Sequence, residues 1–484
     1  MEIVNVLQTP PVFFRLFLKL ALYLFHSAVT INYRPRKVVP EHPPLPPLTS
    51  FDVNTVTGFF PKQPLPHLPA GYNIWEDALQ EANNNLILGD RAGEDEDKCN
   101  FGQQWRDAIK AWPVLDTTPL HSDLRASQRA HMVLAWLVNF YVHSIPTEGG
   151  VPAQPTVVPK TLAVPLVAIS RRLGFAPVLT FADTVLWNWE FVNPDLPLTA
   201  DNMRFVNLFS GTDDERNFYE ASARAELRGV ELLRIIDDYA SLPSYTDLTS
   251  LSKVARDLNR LSGIVDDISG IIRSIRPNCD PHVFYFDIRP WFEGSDAKGP
   301  SHPGWIYEGV DQSEGLDLSG PSAGQSSIIH ALDIFLDVDH KLRQRRYPAP
   351  SSENKRADHG FMERMRRYMP GKHQEYLKSI STLPRSVRDV ARNTPALREP
   401  YDGAVTALKK LRDSHIRIAC LYIVSMSRSS PAGRSGCPAA ALMDRLEAAH
   451  ASGKGPVRGT GGNELSLLLK AGRDATLRAI LKPN

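Results

Sequence analysis

The stretch "ALKKLRDSHIRIACLYIVSMS" (407–427) decides the fold class. Its apolar residues recur at steps of three and four, the spacing of the buried face of an amphipathic helix: Leu408, Leu411, Ile418 and Tyr422. His415 falls on the same stripe, where another leucine would pack better. The simplest interpretation is a core histidine that hydrogen-bonds a nearby carbonyl group. The alternative is an axial ligand of a metal or haem iron.

Comparable helical patterns recur along the chain and predict an all-α fold. In the N-terminal half they cover residues 72–88, 124–144, 164–174 and 180–191. In the C-terminal half they cover residues 214–240, 250–275, 323–346, 374–392, 402–427 and 463–481. Strand signals are few, and no βαβ alternation or internal repeat is visible.

A chain of 484 residues is expected to form one large domain and a smaller one. We predict an apolar segment with a proline-rich linker over residues 1–60, since proline excludes a helix there. A small helical domain follows over residues 61–210, and a large helical domain over residues 211–484. Within the latter, residues 427–458 are predicted to form a long mobile loop, because their ends are rich in Gly, Ser, Ala and Pro.

The N-terminal segment is strongly apolar over residues 12–37, but Arg15 and Lys19 interrupt it. Its uncharged core is well short of the roughly 20 residues that a membrane span requires, and no clear signal-peptide cleavage site follows. Three interpretations stay open: peripheral membrane contact through residues 12–31, an appendage packed on the main domain, and a poorly ordered extension.

Composition excludes several classes of function. The formal net charge is +1, with 42% hydrophobic and 23% charged residues, which argues against a nucleic-acid-binding surface. The four cysteines are scattered without a CxxC pair, so we expect a reducing, cytoplasmic compartment. None of the 14 histidines forms an HxxxH or HExxH motif, so a metal site built from protein ligands alone has no local signature.

Several segments together, in this order and spacing, resemble the indoleamine 2,3-dioxygenase family. They include "NFYEASARAE" (217–226), "FYFDIR" (284–289), "SGPSAGQSS" (319–327), "MRRYMPGKHQEYL" (365–377), "LRDSHIRIACLYI" (411–423) and "GTGGNELSLLLK" (459–470). The likeness covers residues 60–484. It implies a small domain that caps a larger one, with haem b held between them. It further implies a monomer that uses O₂ as co-substrate.

The activity implied by the resemblance is addition of both atoms of O₂ across the indole C2–C3 bond of L-tryptophan or a related indoleamine. The product is N-formylkynurenine, at the first step of the kynurenine pathway towards NAD. On the haem side, the resemblance implies that His415 is the proximal iron ligand. Arg412 would meet a haem propionate with support from Asp333, and Ser322 and Ala323 would pass close to the haem face.

On the substrate side, the resemblance implies that Arg289 binds the substrate carboxylate, because its planar fork matches a carboxylate bidentately. Phe284 and Phe218 would pack on the indole. Ser222 would hydrogen-bond O₂ or the substrate ammonium, and the loop of Thr460 would close over the substrate. The alternatives are an ion pair of Arg289 with a buried acid, aromatic residues that serve only the core, and hydroxyls without a chemical role.

The pocket departs from that of animal members of the family. Phe181 stands where they have a pocket-lining tyrosine, Thr184 where they have a cysteine, and Pro321 where they have a glycine. These changes bear on substrate affinity and turnover. The divergence from animal members and the proline-rich additions suggest a fungal paralogue. Two rivals stay open, a non-catalytic haem protein that binds O₂ and a haem-free helical scaffold. An O₂ carrier would have no use for a carboxylate anchor such as Arg289, which favours the enzyme.

Overall fold

The computed structural model of the protein describes residues 45–147, 154–299, 302–311, 315–338, 340, 361–429, 457–460 and 464–481. The predicted all-α class is confirmed, since strands in these ranges are only three residues long. Residues 12–31 and most of the predicted 427–458 loop lie outside them. Among the described helices, none is long and apolar enough to cross a membrane.

Helices of the N-terminal part are α1 (Asn73–Ala82), α2 (Glu96–Ala111), α3 (Leu124–His143) and α4 (Lys160–Leu173). Helix α3 is buried along most of its length and packs against α1 and α4. It begins at Asp123, whose side chain accepts hydrogen bonds from the backbone N–H groups of Arg125 and Ala126. This part of the chain is therefore organised around one central helix.

Helices of the C-terminal part are α5 (Asp213–Arg228), α6 (Val230–Ala240), α7 (Leu248–Asn278), α8 (Ser327–Phe335), α9 (Phe361–Arg366), α10 (Gly371–Ser381), α11 (Val387–Asn393), α12 (Pro395–Ala419) and α13 (Leu465–Ala479). Helix α12 carries His415 and packs along α7, where Ser269 Oγ and Ser414 Oγ are 3.3 Å apart. Helix α7 also packs against α5, which carries the predicted site residues Phe218 and Ser222.

Two small sheets lie among the helices, and the first joins distant parts of the chain. Strands β1 (Thr156–Val158) and β4 (Trp305–Tyr307) are parallel, with Val157 opposite Ile306. Strands β2 (Trp189–Phe191) and β3 (Met203–Phe205) are antiparallel, with Glu190 opposite Arg204. Both parts of the chain contribute to one continuous hydrophobic core. The domain boundaries at residues 60 and 210 stay predictions.

The structure corrects the helix predictions at several places. Residues 180–191 form a π-helical turn, Ala182–Leu186, followed by β2, because Trp189 and Phe191 pair with β3 instead of continuing a helix. Helix α2 was missed because it buries few apolar side chains. The predicted helix 214–240 is broken at Gly229, where a Cβ would lie 2.4 Å from Ile328 Cγ2. The predicted helix 323–346 ends at Phe335. The predicted helix 374–392 is interrupted between Ser381 and Val387, where Pro384 removes a backbone donor, and so forms α10 and α11.

Candidate functional site

His415 lies on the same stripe of α12 as Leu408 and Leu411. None of the described residues forms a hydrogen bond with its ring. Leu408 and Leu411 on the same stripe are buried, whereas His415 and Ile418 are only partly buried. No hydrogen bond joins the His415 imidazole to any residue that the structure describes. Burial, reinforced by the positive charge of Arg412, lowers the pKa of His415 below its usual value. The ring is thus a neutral imidazole with uncommitted nitrogens, the form that ligates a metal.

Arg412, one helical turn before His415, forms an ion pair with Asp333 of α8. Its Nη2 donates to both carboxylate oxygens, and its Nη1 donates to Thr476 Oγ1 of α13. His340 Nε2 lies 2.8 Å from the same carboxylate. Burial alone would raise the pKa of Asp333, but Arg412 and His340 hold it well below its usual range. The structure therefore fixes the Arg412 side chain beside His415.

An aromatic group lies on the other side of the site. Phe218 of α5 packs on Phe284 with ring centroids 4.9 Å apart, and Phe284 packs edge-on against Tyr422 at 5.6 Å. Phe218 is only partly buried. Ser222 Oγ, one turn after Phe218, donates to the Phe218 carbonyl at 3.1 Å. Its proton is therefore directed to its own helix, although its lone pairs stay available as acceptors.

These contacts join the elements of the site in a closed ring. The ring runs through the pairs Arg412–Asp333 (α12 to α8), Ser326–Glu226 (start of α8 to α5), Phe218–Phe284 (α5 to the π-helical turn Phe284–Ile288) and Phe284–Tyr422 (back to the chain after α12). The partly buried side chains of His415, Phe218 and Ser222 belong to the elements of this ring. Of the predicted haem-side residues, Arg412 and Asp333 are thus in direct contact, as are Phe218 and Phe284 of the predicted substrate side.

Arg289 follows that π-helical turn and is nine-tenths buried. Its Nη1 donates to Glu293 Oε1 at 2.8 Å, and its Nη2 donates to the Arg458 carbonyl at 2.9 Å. Its Nε is buried and has no hydrogen-bond partner among the described residues. The ring of Tyr285 lies 5.3 Å from the guanidinium carbon. The ion pair with a buried acid, which the sequence left open as an alternative, is therefore present.

Thr460 and the "SAGQSS" segment meet next to Arg289. Thr460 Oγ1 donates to the Pro321 carbonyl at 2.7 Å, and the Gly294 N–H donates to the Thr460 carbonyl at 3.3 Å. Ser322 Oγ accepts from the Gly324 N–H at 3.1 Å and begins the short 3₁₀ turn Ala323–Gln325. Residues 457–460 are thus docked over the arginine, with Thr460 bound to the chain just before this turn.

Phe181 is buried at the start of the π-helical turn Ala182–Leu186. Asp183 in this turn accepts from His131 Nδ1 at 2.7 Å, and both side chains are fully buried. The other Asp183 oxygen accepts from the Thr180 N–H and Oγ1. These hydrogen bonds of Asp183 hold the turn in place, and with it the backbone of the adjacent Phe181.

Sequence reasoning missed three polar residues of the site. Glu293 pairs with Arg289, and its signal was the four-residue spacing between them. Gln325 joins the 3₁₀ turn to Phe181, but it was quoted only as part of a motif. Glu226 lies one turn after Ser222 on α5 and accepts from Ser326 Oγ. Its Oε2 is buried and has no hydrogen-bond partner in the described part of the chain. Burial raises the pKa of Glu226 to about 7, and the Ser326 hydrogen bond only partly offsets this.

Comparison with known sequences agrees with this architecture. Residues 47–479 match the sequence model of the family described as Indoleamine 2,3-dioxygenase. The chain belongs to the indoleamine 2,3-dioxygenase family. It is thus a member of a family of dioxygenases, a class of oxidoreductases.

Relatives in the indoleamine 2,3-dioxygenase family match over nearly their whole length. Indoleamine 2,3-dioxygenase 2 of Mus musculus is 31% identical over 442 residues, which span 90% of this chain and 96% of its own. Indoleamine 2,3-dioxygenase of Saccharomyces cerevisiae is 28% identical over 457 residues, 90% of this chain and 94% of its own. The 6-hydroxytryptophan 2,3-dioxygenase of Fusarium equiseti is 27% identical over 439 residues, 89% of this chain and 97% of its own.

Proposed function

We propose that the protein is a haem-dependent dioxygenase that converts L-tryptophan or a related indoleamine to N-formylkynurenine or the corresponding product. One observation carries the proposal: His415 presents a neutral imidazole with no protein partner among the described residues, directly beside the fixed Arg412–Asp333 pair. A core histidine would hydrogen-bond its surroundings, whereas an axial ligand keeps one nitrogen for iron.

The residues of the ring fit haem b in chemistry and in charge. His415 would hold the iron from one side, and Arg412 would meet a propionate, because its guanidinium is fixed by Asp333 and Thr476. Ser322 and Ala323 would lie against the haem face, where small side chains leave room. When bound, haem supplies the activation of O₂ for its addition to the indole.

The protein's own part is to orient the indole and to exclude water. Phe218 and Phe284 would pack against its faces, with Phe181 as a further apolar wall. Arg289 would bind the carboxylate, and its buried Nε, which has no partner in the described structure, supports this role. Ser222 would accept a hydrogen bond from the substrate ammonium. Residues 457–460, docked through Thr460, would close the site from solvent.

The test uses protein expressed with haem supplementation, reduced, and supplied with L-tryptophan and O₂. We expect a Soret band and N-formylkynurenine formation in the wild type, and neither in His415→Ala. The control is His121→Ala, whose ring contacts Thr117 outside the site. A wild type without a Soret band would overturn the proposal. If Arg289→Ala turns over L-tryptophan with wild-type efficiency, the carboxylate-anchor role is wrong.

A second candidate is a haem protein that binds O₂ without catalysis. One observation favours it: Glu293 already neutralises the guanidinium of Arg289, the residue expected to take the substrate carboxylate. The same experiment separates the two, because this candidate gives a Soret band without N-formylkynurenine.

A further inference from the structure

We propose that Glu293 is a specificity-determining residue, whose carboxylate competes with the substrate's carboxylate for Arg289 and shifts the site towards indoleamines that lack a carboxylate. The inference rests on the proposed function, because it assigns Arg289 to substrate binding. It concerns the selection between an amino acid such as L-tryptophan and an amine such as tryptamine.

The competing pair is well defined and shielded from water. Glu293 Oε1 lies 2.8 Å from Arg289 Nη1, with 15% and 10% of the two side chains exposed. The two residues lie one helical turn apart, at either end of the 3₁₀ turn Arg289–Phe292. In such a setting opposite charges are screened less than at the surface, so the guanidinium is substantially neutralised before any substrate arrives.

The backbone around Glu293 keeps its carboxylate in place. Its N–H donates to the Pro290 carbonyl at 3.2 Å, and its own carbonyl accepts from His143 Nε2 at 2.8 Å. Burial lowers the pKa of His143 to about 4, so this ring is neutral at pH 7 and donates through Nε2. These two hydrogen bonds fix the backbone of Glu293, so its side chain is held close to Arg289.

Arg289 already donates through both Nη atoms. Nη1 donates to Glu293 and Nη2 to the Arg458 carbonyl, each through one of its two N–H groups, while Nε has no partner among the described residues. A substrate carboxylate that takes two adjacent N–H groups therefore either displaces one of these acceptors or shares the guanidinium with the Glu293 carboxylate. Two carboxylates on one guanidinium repel each other, which weakens binding of the substrate carboxylate. Tryptamine has no carboxylate to bind Arg289, so it leaves the Arg289–Glu293 ion pair intact.

The deciding variant is Glu293→Gln, which keeps an amide oxygen for Arg289 Nη1 and removes only the charge. We expect the KM and the calorimetric Kd for L-tryptophan to fall at least fivefold. For tryptamine we expect both to change less than twofold, and kcat for either substrate to change little. The matched control is Glu190→Gln, which neutralises an exposed arginine–glutamate pair and is expected to change neither constant.

Two results would overturn the inference. An unchanged KM and Kd for L-tryptophan would show that Glu293 does not compete, and raised values would show that it binds the substrate ammonium instead. Should Glu293→Gln fail to fold, Glu293→Ser removes the same charge with a smaller side chain and is read by the same criteria. Failure of the proposed function is distinct, since the wild type would then convert neither substrate.

Discussion

The backbone N–H of Phe181 donates to Gln325 Oε1 at 2.9 Å, while Gln325 Nε2 donates to the Gly320 carbonyl at 3.0 Å. One buried carboxamide thus joins two segments 144 residues apart in sequence, both of which carry predicted pocket residues. Because the carboxamide satisfies a buried donor and a buried acceptor at once, it fixes the distance between them.

Gln325→Met is expected to lower the free energy of unfolding by about 2–4 kcal/mol, since it leaves a buried N–H and a buried carbonyl unpaired at about 1–3 kcal/mol each. Urea unfolding followed by circular dichroism measures the change. Gln104→Met, at an exposed position of α2, is the control and should change stability by less than about 0.5 kcal/mol. A loss as small for Gln325→Met as for this control would contradict the bridging role.

Replacing His415 by alanine should hardly destabilise the haem-free protein. The ring is partly exposed and has no hydrogen-bond partner among the described residues, so we expect a loss of less than about 1 kcal/mol. His131→Ala is the comparison: it removes a fully buried ring bound to Asp183 and should cost about 3 kcal/mol. If thermal or urea unfolding shows that both variants lose the same stability, His415 is a structural core residue and not a ligand.

Asp333→Asn should destabilise the protein by about 3 kcal/mol at pH 7, because it leaves the partly buried Arg412 without its counter-ion. The pKa of Asp333 is lower in the folded chain than the unfolded value of about 3.9. The stabilisation is therefore complete above pH 5 and is lost as pH falls through 4 and below.

Urea titrations from pH 7 to pH 3 measure the free energy of unfolding of the wild type and of Asp333→Asn. The difference between the two proteins should narrow only below about pH 4. The control is Asp389→Asn, which removes an exposed ion pair with Arg392. Its free energy of unfolding should equal that of the wild type at every pH in this range. A gap that widens as the pH falls would be inconsistent with an ionised Asp333 in the folded state.

Glu226→Gln should stabilise the protein at pH 8. The pKa of Glu226 is raised to about 7 by burial, above the unfolded value of about 4.3. The folded state thus binds the proton more tightly, so wild-type stability falls as pH rises from 4.3 to 7 and is constant above. Glutamine keeps the uncharged shape at every pH, and we expect a gain on the order of 2–3 kcal/mol at pH 8 that shrinks towards pH 5.

The measurement is the unfolding midpoint of both proteins in urea at pH 5 and pH 8. Glu375→Gln, at an exposed glutamate that bonds Lys372, serves as the control and should show no pH-dependent gain. Loss of stability in Glu226→Gln at pH 8 would mean that the carboxylate is ionised and satisfied in the folded state.

Helix periodicity predicted much of the fold, and its failures have local physical causes. Helices α3, α7, α12 and α13 agree with the predicted ranges to within a few residues, except at the start of α12, because each buries a regular apolar stripe. Helix α2 escaped prediction because it buries mainly Trp105 and Ile109. Residues 189–191 were misassigned because strand pairing depends on a partner, β3, that lies farther along the chain.

The sequence by itself determined the all-α class, the family, and the stripe on α12 that places a histidine among leucines. These depend on local spacing and on the order of motifs along the chain. Only the tertiary structure decided which polar groups already have partners. His415 has none among the residues that the structure describes, Arg412 is fixed by Asp333, and Arg289 is paired with Glu293. Hydrogen bonds and ion pairs between distant segments depend on the packing of whole helices, which no local pattern encodes.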